Sequence, residues 1–344
     1  MRKFSWGVAA AIAVFAMWAF ALRAGAFDAD PADALARYGA PPSQFVEIDG
    51  TRLHYRDEGE RRGEGQRPVL VLLHGSRASL QQWDGWVAEL GGQFRIVRVD
   101  GMGHGLSGPD GRNDYSAARQ MLLLDKLFDH LGLTTFILGG TSSGATVAMR
   151  YTALHPARVE KLLLSTLPLR LPTRAKTAAI DRAIFWFHDT VLNSRATDLY
   201  WRTFLRSIYA DPDKVTAEMV TRYRILNTLP GQEERFQARL TSWRNTGGAQ
   251  SDFDLAGKIT VPTLIQWGAA GPVLPREMHC EIAGAFTGTP VKMISYRDLG
   301  HKLVLEDPAT TARDALAFIV EGTGGDGCAP APSAMTTATG PQVG

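Results

Sequence analysis

"LGGTSSGA", Leu138 to Ala145, is the stretch on which the fold is decided. It closes an apolar run, "FILGG" from Phe136 to Gly140, and opens onto a helical pattern, "GATVAMRYTALHP" from Gly144 to Pro156. Gly140-Thr141-Ser142-Ser143-Gly144 therefore reads as G-x-S-x-G on a strand-to-helix turn. A nucleophile on so sharp a turn sits on strained backbone, and side chains in place of the glycines would collide with the adjoining strand and helix. The turn aims the Ser142 hydroxyl away from the sheet and sets a helix N-terminus beneath it. A bare G-x-S-x-G is common wherever small residues cluster. The strand before it and the helix after it give this one weight.

Working outward, similar apolar runs recur: "VLVLLH" (Val69 to His74), "FRIVRVD" (Phe94 to Asp100) and "KLLLST" (Lys161 to Thr166), then "TLIQW" and "VKMISY" (Val291 to Tyr296). Short continuous runs suit parallel strands buried on both faces. Helical patterns alternate with them, as in "AARQMLLLDKLFDHLG" (Ala117 to Gly132) and "DPATTARDALAFIVEG". The expected fold class is α/β, a mostly parallel doubly wound sheet. Ahead of it, "FVEIDGTRLHYRDEG" alternates apolar and polar residues around Asp49-Gly50, which predicts a β-hairpin turning at that pair.

The pattern breaks between Leu169 and Lys258, where helical segments carry Phe185, Trp186, Phe187, Tyr200, Trp201, Phe204 and Trp243. This predicts a helical cap inserted after the sixth core strand. Most of these aromatics are expected to pack the cap, and a few to line an apolar pocket beneath it. The predicted organisation is a leader over 1–26, a polar linker over 27–44, core over 45–168, cap over 169–257, core again over 258–321, and a disordered tail over 322–344.

The bulk composition excludes more than it identifies. Of 344 residues 45% are hydrophobic and 21% charged, with a net charge of +2, which gives no pull toward nucleic acid. At the N-terminus, Arg2 and Lys3 precede an uncharged apolar stretch from Phe4 to Leu22. That is close to the ~20 residues needed to span a bilayer, while Ala24-Gly25-Ala26 fits a small-x-small cleavage site. A retained membrane anchor and a cleaved secretory signal both place the body outside the cytoplasm. Cys280 and Cys328 suit an oxidising compartment and are either one disulfide or two separate thiols. Their number and spacing argue against structural zinc, and the residues imply no metal or organic cofactor.

With those motifs in place, the chain resembles the α/β-hydrolase family over roughly Phe45 to Val320. His74-Gly75 resembles the family's oxyanion segment, "DGMGHGLS" (Asp100 to Ser107) its D-x-x-G-H-G-x-S loop, and "LGHKLVLEDP" (Leu299 to Pro308) its catalytic-histidine loop. The hairpin also resembles the opening of capped members with an N-terminal membrane segment. The resemblance implies Ser142 as nucleophile, His301 as general base and then acid, and the backbone amides of Ser76 and Ser143 as the oxyanion hole. His74, His104 and Asp100 would be loop anchors. A serine at the nucleophile seat argues against the relatives that use aspartate there, haloalkane dehalogenases and epoxide hydrolases.

One part of the pattern is missing. The family's acid follows a late strand as W-G-x-x-D, and here the register is Trp267-Gly268-Ala269-Ala270-Gly271, with glycine in the carboxylate's place. The alternative seat, after the strand preceding the cap, is Ser165-Thr166. Three readings stay open. Asp298, Glu306 or Glu277 reaches His301 from a new position; a Ser142–His301 dyad suffices for an activated ester; or the scaffold has lost catalysis and binds a small ligand or a protein. The first two give a serine-dependent hydrolase of a small, apolar carboxylic ester.

Overall fold

A computed structural model describes residues 2–59, 67–169, 179–192, 197–246, 248–271, 273–274 and 278–322. Helix α1 (Arg2–Arg23) comes first, then α2 (Pro31–Tyr38) and the hairpin β1 (Ser43–Ile48) and β2 (Thr51–Glu58). The hairpin turns at Asp49 and Gly50, both at positive φ, with Ile48 paired to Thr51. A turn with both central residues in that region matches the twist of the flanking strands.

The core follows as β3 (Val69–Leu73), α3 (Asp84–Leu90), β4 (Arg95–Val99), α4 (Ala117–His130), β5 (Phe136–Thr141), α5 (Ser143–Leu154) and β6 (Val159–Ser165). Among the described residues the α-helices that come next are α6 (Ala179–Trp186), α7 (Asp198–Arg206), α8 (Ala217–Asn227), α9 (Gln232–Asn245) and α10 (Gly248–Ala256). The chain then returns to the sheet with β7 (Thr263–Gly268), α11 (Met278–Gly284), β8 (Val291–Tyr296), α12 (Leu303–Glu306) and α13 (Pro308–Glu321). The eight strands lie in the order β1-β2-β4-β3-β5-β6-β7-β8. The β1–β2 and β2–β4 pairs are antiparallel and the rest parallel, so the expected α/β fold, a mostly parallel doubly wound sheet, is the observed one.

Successive residues of each central strand feed opposite faces. Leu70 and Leu72 pack with Trp83, Trp86 and the α13 residue Phe318, while Val71 and Leu73 pack with Met121, Leu124 and Met149 of α4 and α5. Burial on both faces explains why these strands read as unbroken apolar runs, each fully buried leucine contributing ~1.5–3 kcal/mol. Strands β3 and β5 are neighbours although β4 lies between them in sequence. The order of winding reverses there, which opens a crevice at their carboxyl ends.

The stretch expected to be a polar linker is folded. Asp30 caps α2 by accepting from the Ala32 amide, Pro31 opens the helix, and Ala34 is fully buried with Leu106, Ile225 and Leu226. Those apolar partners are remote in sequence, so composition alone gave no sign of them. Among the inserted aromatics, Tyr200 and Trp201 are buried together, with Phe185 and Phe204 against them. Trp186 is 61% exposed instead, and Phe187 lies against Phe15 of α1 with ring centroids 6.3 Å apart. The Trp6–Arg23 part of α1 is long and apolar enough to cross a membrane, with mean hydropathy 1.7. Cys280 is disulfide-bonded. The other cysteine, Cys328, and the tail from 323 onward lie outside the described residues.

Candidate active site

Ser142 stands between β5 and α5 at φ 55 and ψ −126, a conformation that costs ~1–3 kcal/mol outside glycine. The flanking glycines are required by contact. A Cβ on Gly140 would meet the Gly144 carbonyl oxygen at 2.3 Å, and one on Gly144 would meet the Leu73 and His74 carbonyl oxygens at 2.4 Å. The Ser142 amide is tied to the Ser165 carbonyl at 2.9 Å, which fixes the turn against β6.

His301 arrives from the loop after β8. Its Nε2 lies 2.9 Å from Ser142 Oγ across 159 positions of sequence. The loop is held from three sides. The His301 amide donates to Ile208 O, the Thr166 hydroxyl donates to His301 O at 3.2 Å, and the Gly300 amide donates to Glu306 Oε1 at 3.1 Å. Two glycines permit this approach, because a Cβ on Gly268 would meet Gly300 O at 1.9 Å and one on Gly300 would meet the Ala210 amide nitrogen at 2.4 Å.

The far side of the imidazole is bare. If the Ser142 hydroxyl donates to Nε2, the ring proton sits on Nδ1, and Nδ1 has no hydrogen-bond partner among the described residues. A buried N–H without an acceptor costs ~1–3 kcal/mol. Gly271 adjoins this region: a Cβ there would lie 2.9 Å from the His301 amide nitrogen. Among the described residues, neither Asp298 nor Glu306 is hydrogen-bonded to the ring. Asp298 is exposed in the turn after β8. Glu306 is buried, but its carboxylate accepts from the amides of Gly300, Ala210, Asp211 and Lys302, so it clamps the histidine loop instead. Glu277 lies outside the described residues. Burial, seconded by the charge of Lys302, pushes the His301 imidazole down to about 3.

The expected oxyanion segment adjoins Ser142, since a Cβ on Gly75 would stand 3.1 Å from Ser142 Cβ. The Ser76 hydroxyl donates to Ser143 Oγ at 2.9 Å, joining the two residues. Neither residue's backbone amide is among the bonded donors, and the amide of Ser143 opens helix α5. Both are thus free to meet negative charge.

The remaining motif residues are anchors, as expected. Asp100 accepts from His54 Nδ1 at 2.7 Å, the Leu80 amide at 2.7 Å and the Leu106 amide at 2.9 Å. Burial raises its pKa, yet His54 and these bonds outweigh that and hold it below the usual carboxylate range. His74 Nδ1 donates to the Gly75 carbonyl, and its Nε2 accepts from the Gly101 amide. His104 Nε2 accepts from Arg239, whose guanidinium also donates to the Met102 and Gly103 carbonyls. Burial lowers the pKa of His74 and His104, leaving both rings neutral at pH 7.

A cavity of about 220 Å³ opens above Ser142 and Ser143, walled by Tyr115, Val147, Phe236, Leu240 and Trp243. Its polar lining includes Gln120, Arg150 and Arg239. Phe236, Leu240, Arg239 and the clamp residue Thr166 were not anticipated from sequence. Thr166 carries a positive φ of 47° at the end of β6, a feature that β-branched residues seldom adopt and that sequence does not announce.

The family profile of the alpha/beta hydrolase fold matches residues 68–308. This chain belongs to the α/β-hydrolase family. The monoacylglycerol lipase abhd6-A of Xenopus laevis is 27% identical over 288 residues, spanning 80% of this chain and 81% of that protein. A soluble epoxide hydrolase of Corynebacterium sp. (strain C12) is 26% identical over 294 residues, 79% of this chain and 94% of its own. The structure of a meta-cleavage product hydrolase from Pseudomonas fluorescens aligns with a TM-score of 0.66 at 18% identity, covering 81% of this chain and 98% of that one. Lipase and epoxide hydrolase relatives mark this chain as a hydrolase and leave the choice of chemistry to its own site.

Proposed function

We propose that this chain is a serine-dependent hydrolase of a small carboxylic ester. Ser142 Oγ attacks the carbonyl carbon as His301 Nε2 takes its proton. The carbonyl pair moves onto oxygen, where the Ser76 and Ser143 amides receive it, each donor worth ~3 kcal/mol. Collapse expels the alkoxide with the proton from His301 and leaves an acyl-enzyme, which water then cleaves by the same sequence. The observation that carries this reading is the 2.9 Å contact between Nε2 and Oγ at a strained turn. The aromatic wall from Phe236 to Trp243 favours an apolar acyl or aryl group. The inserted helices α6–α10 act as the cap over that wall. Helix α1, by its length and exposure, anchors the chain in the membrane with the catalytic body on the exported side.

The second reading, a binding protein on a disabled scaffold, draws on the unpartnered Nδ1. A fluorophosphonate probe separates the two. Covalent labelling of the wild type, abolished in Ser142→Ala, establishes the activated serine; equal absence of label in both rejects it.

A further inference from the structure

Lys302 follows His301 directly and is only 2% exposed. Among the described residues its ammonium has neither an ion pair nor a hydrogen bond, although a buried charge ordinarily requires both. The neighbouring carboxylate of Glu306 does not serve it, being occupied by backbone amides. The position of Nζ is well defined. A Cβ on Gly75 would stand 3.7 Å from Lys302 Nζ and 3.1 Å from Ser142 Cβ, so Nζ is no farther from that carbon than the two distances combined. On its other side, Nζ lies 5.8 Å from the ring centroid of Tyr223 on α8. The ammonium thus lies between Gly75 of the oxyanion segment and the Tyr223 ring of α8, which it faces as a cation–π neighbour. The other buried cation near the cavity, Arg239, is different: its donors are taken by Met102, Gly103 and His104.

We infer that Lys302 is a third donor to the negative charge that forms on the substrate carbonyl oxygen, an addition to the amides of Ser76 and Ser143. The inference rests on the acyl-enzyme reading above and adds a residue to it. No proton leaves the ammonium. The electron pair displaced from the C=O bond stays on oxygen beside Nζ and returns when the alkoxide departs. A fixed positive charge beside the developing oxyanion favours the tetrahedral intermediate over the uncharged ester, and so acts on the rate rather than on ground-state binding.

The test uses the full chain, a neutral aryl ester, and a trifluoromethyl ketone bearing the same acyl group, which adds to a serine as a hemiketal oxyanion. Lys302→Met should lower kcat about 100-fold, leave KM within about twofold, and weaken the trifluoromethyl ketone by the same factor as kcat. Lys302→Arg should recover most of both losses. Lys302→Gln, which keeps polarity without charge, serves if the methionine variant does not fold. Unchanged kcat and ketone affinity in a folded, fluorophosphonate-labelled Lys302→Met or Lys302→Gln protein overturn the inference and leave the acyl-enzyme reading standing. A rise in KM for an ester carrying its own carboxylate, with neutral esters unaffected, also overturns it, by assigning Nζ to the substrate's charge. Failure of the wild type to label removes the acyl-enzyme reading and this inference together.

Discussion

Replacing Gly271, which stands where the family pattern carries its acid, by aspartate sets a carboxyl group beside the backbone of His301. The quantity at stake follows from the imidazole itself. Held near 3 instead of 6.5, the ring resists protonation by roughly 5 kcal/mol. On the proposed acyl-enzyme route each turnover must nevertheless create the imidazolium, because the Ser142 proton is passed to His301. That penalty is close to the ~10⁴-fold loss, or about 5–6 kcal/mol, that follows removal of the acid from a serine protease. Restoring a carboxylate should recover part of it. The gain is limited by fit, since a Cβ at 271 stands 2.9 Å from the His301 amide nitrogen and the loop must yield by a few tenths of an ångström. We expect Gly271→Asp to raise kcat/KM for a neutral ester about 100-fold at pH 7, with Gly271→Ala, which carries the same steric cost and no charge, at or below wild type.

The pH profile of kcat/KM supplies the independent reading, because it reports the free enzyme. His301 acts as a base only when neutral. With its pKa lowered by burial and by Lys302, the wild type should stay level from pH 7 to pH 5, a window in which a histidine of ordinary pKa would lose about 30-fold. Aspartate at 271 favours the imidazolium and raises that pKa, so the variant should decline within the same window. A Gly271→Asp enzyme no faster than Gly271→Ala, with a profile as flat as the wild type, would refute the idea that the missing acid limits the rate. A wild type that already declines below pH 6.5 would refute the depressed imidazole.

Other consequences are quick to check. Ser142→Gly should abolish hydrolysis and stabilise the fold by about 1 kcal/mol, read as a higher melting temperature, because glycine relieves the strain at φ 55. Asp100→Asn should destabilise by about 3 kcal/mol in urea titration, since the carboxylate serves His54, Leu80 and Leu106 at once. His301 also ties stability to pH. The unfolded chain binds its proton near 6.5 while the folded chain resists it to about 3, so its contribution is complete above pH 6.5 and is lost as pH falls toward 3. His301→Gln should accordingly show a shallower fall in melting temperature between pH 7 and pH 4.

The parts of this molecule legible from sequence are those set by local chemistry. Apolar runs marked the strands because both faces of β3 and β5 are covered, and Asp49-Gly50 marked the hairpin because few other pairs accept positive φ twice. Gly140 and Gly144 announced the turn at Ser142 through the contacts that any side chain would violate. What stayed hidden depends on distant partners. Helix α2 exists because Ala34 meets Ile225 and Leu226. Glu306 resembled a substitute acid until its oxygens were found on four backbone amides. Lys302 left one visible trace, a charge set directly after the proposed base His301, but only the fold shows that it has no counterion among the described residues.

Gly271 at the family's acid position and the buried Lys302 bear on one charge separation in the proposed mechanism. There, as the Ser142 proton moves to His301, a cation forms at the imidazole and an anion at the carbonyl oxygen. Most members of such a fold would steady the cation from behind with a carboxylate. Among the described residues no carboxylate meets Nδ1, and Lys302 even opposes the cation, as the lowered His301 pKa records. The same ammonium attracts the anion, and which effect wins turns on distance. Its place beside Gly75 puts it next to the oxyanion segment, and in the proposed role the attraction it exerts there exceeds its repulsion of the imidazolium. A site built in this way relies less on a strong base than on stabilising its intermediate, and it should favour esters whose leaving groups depart without much help from the imidazolium.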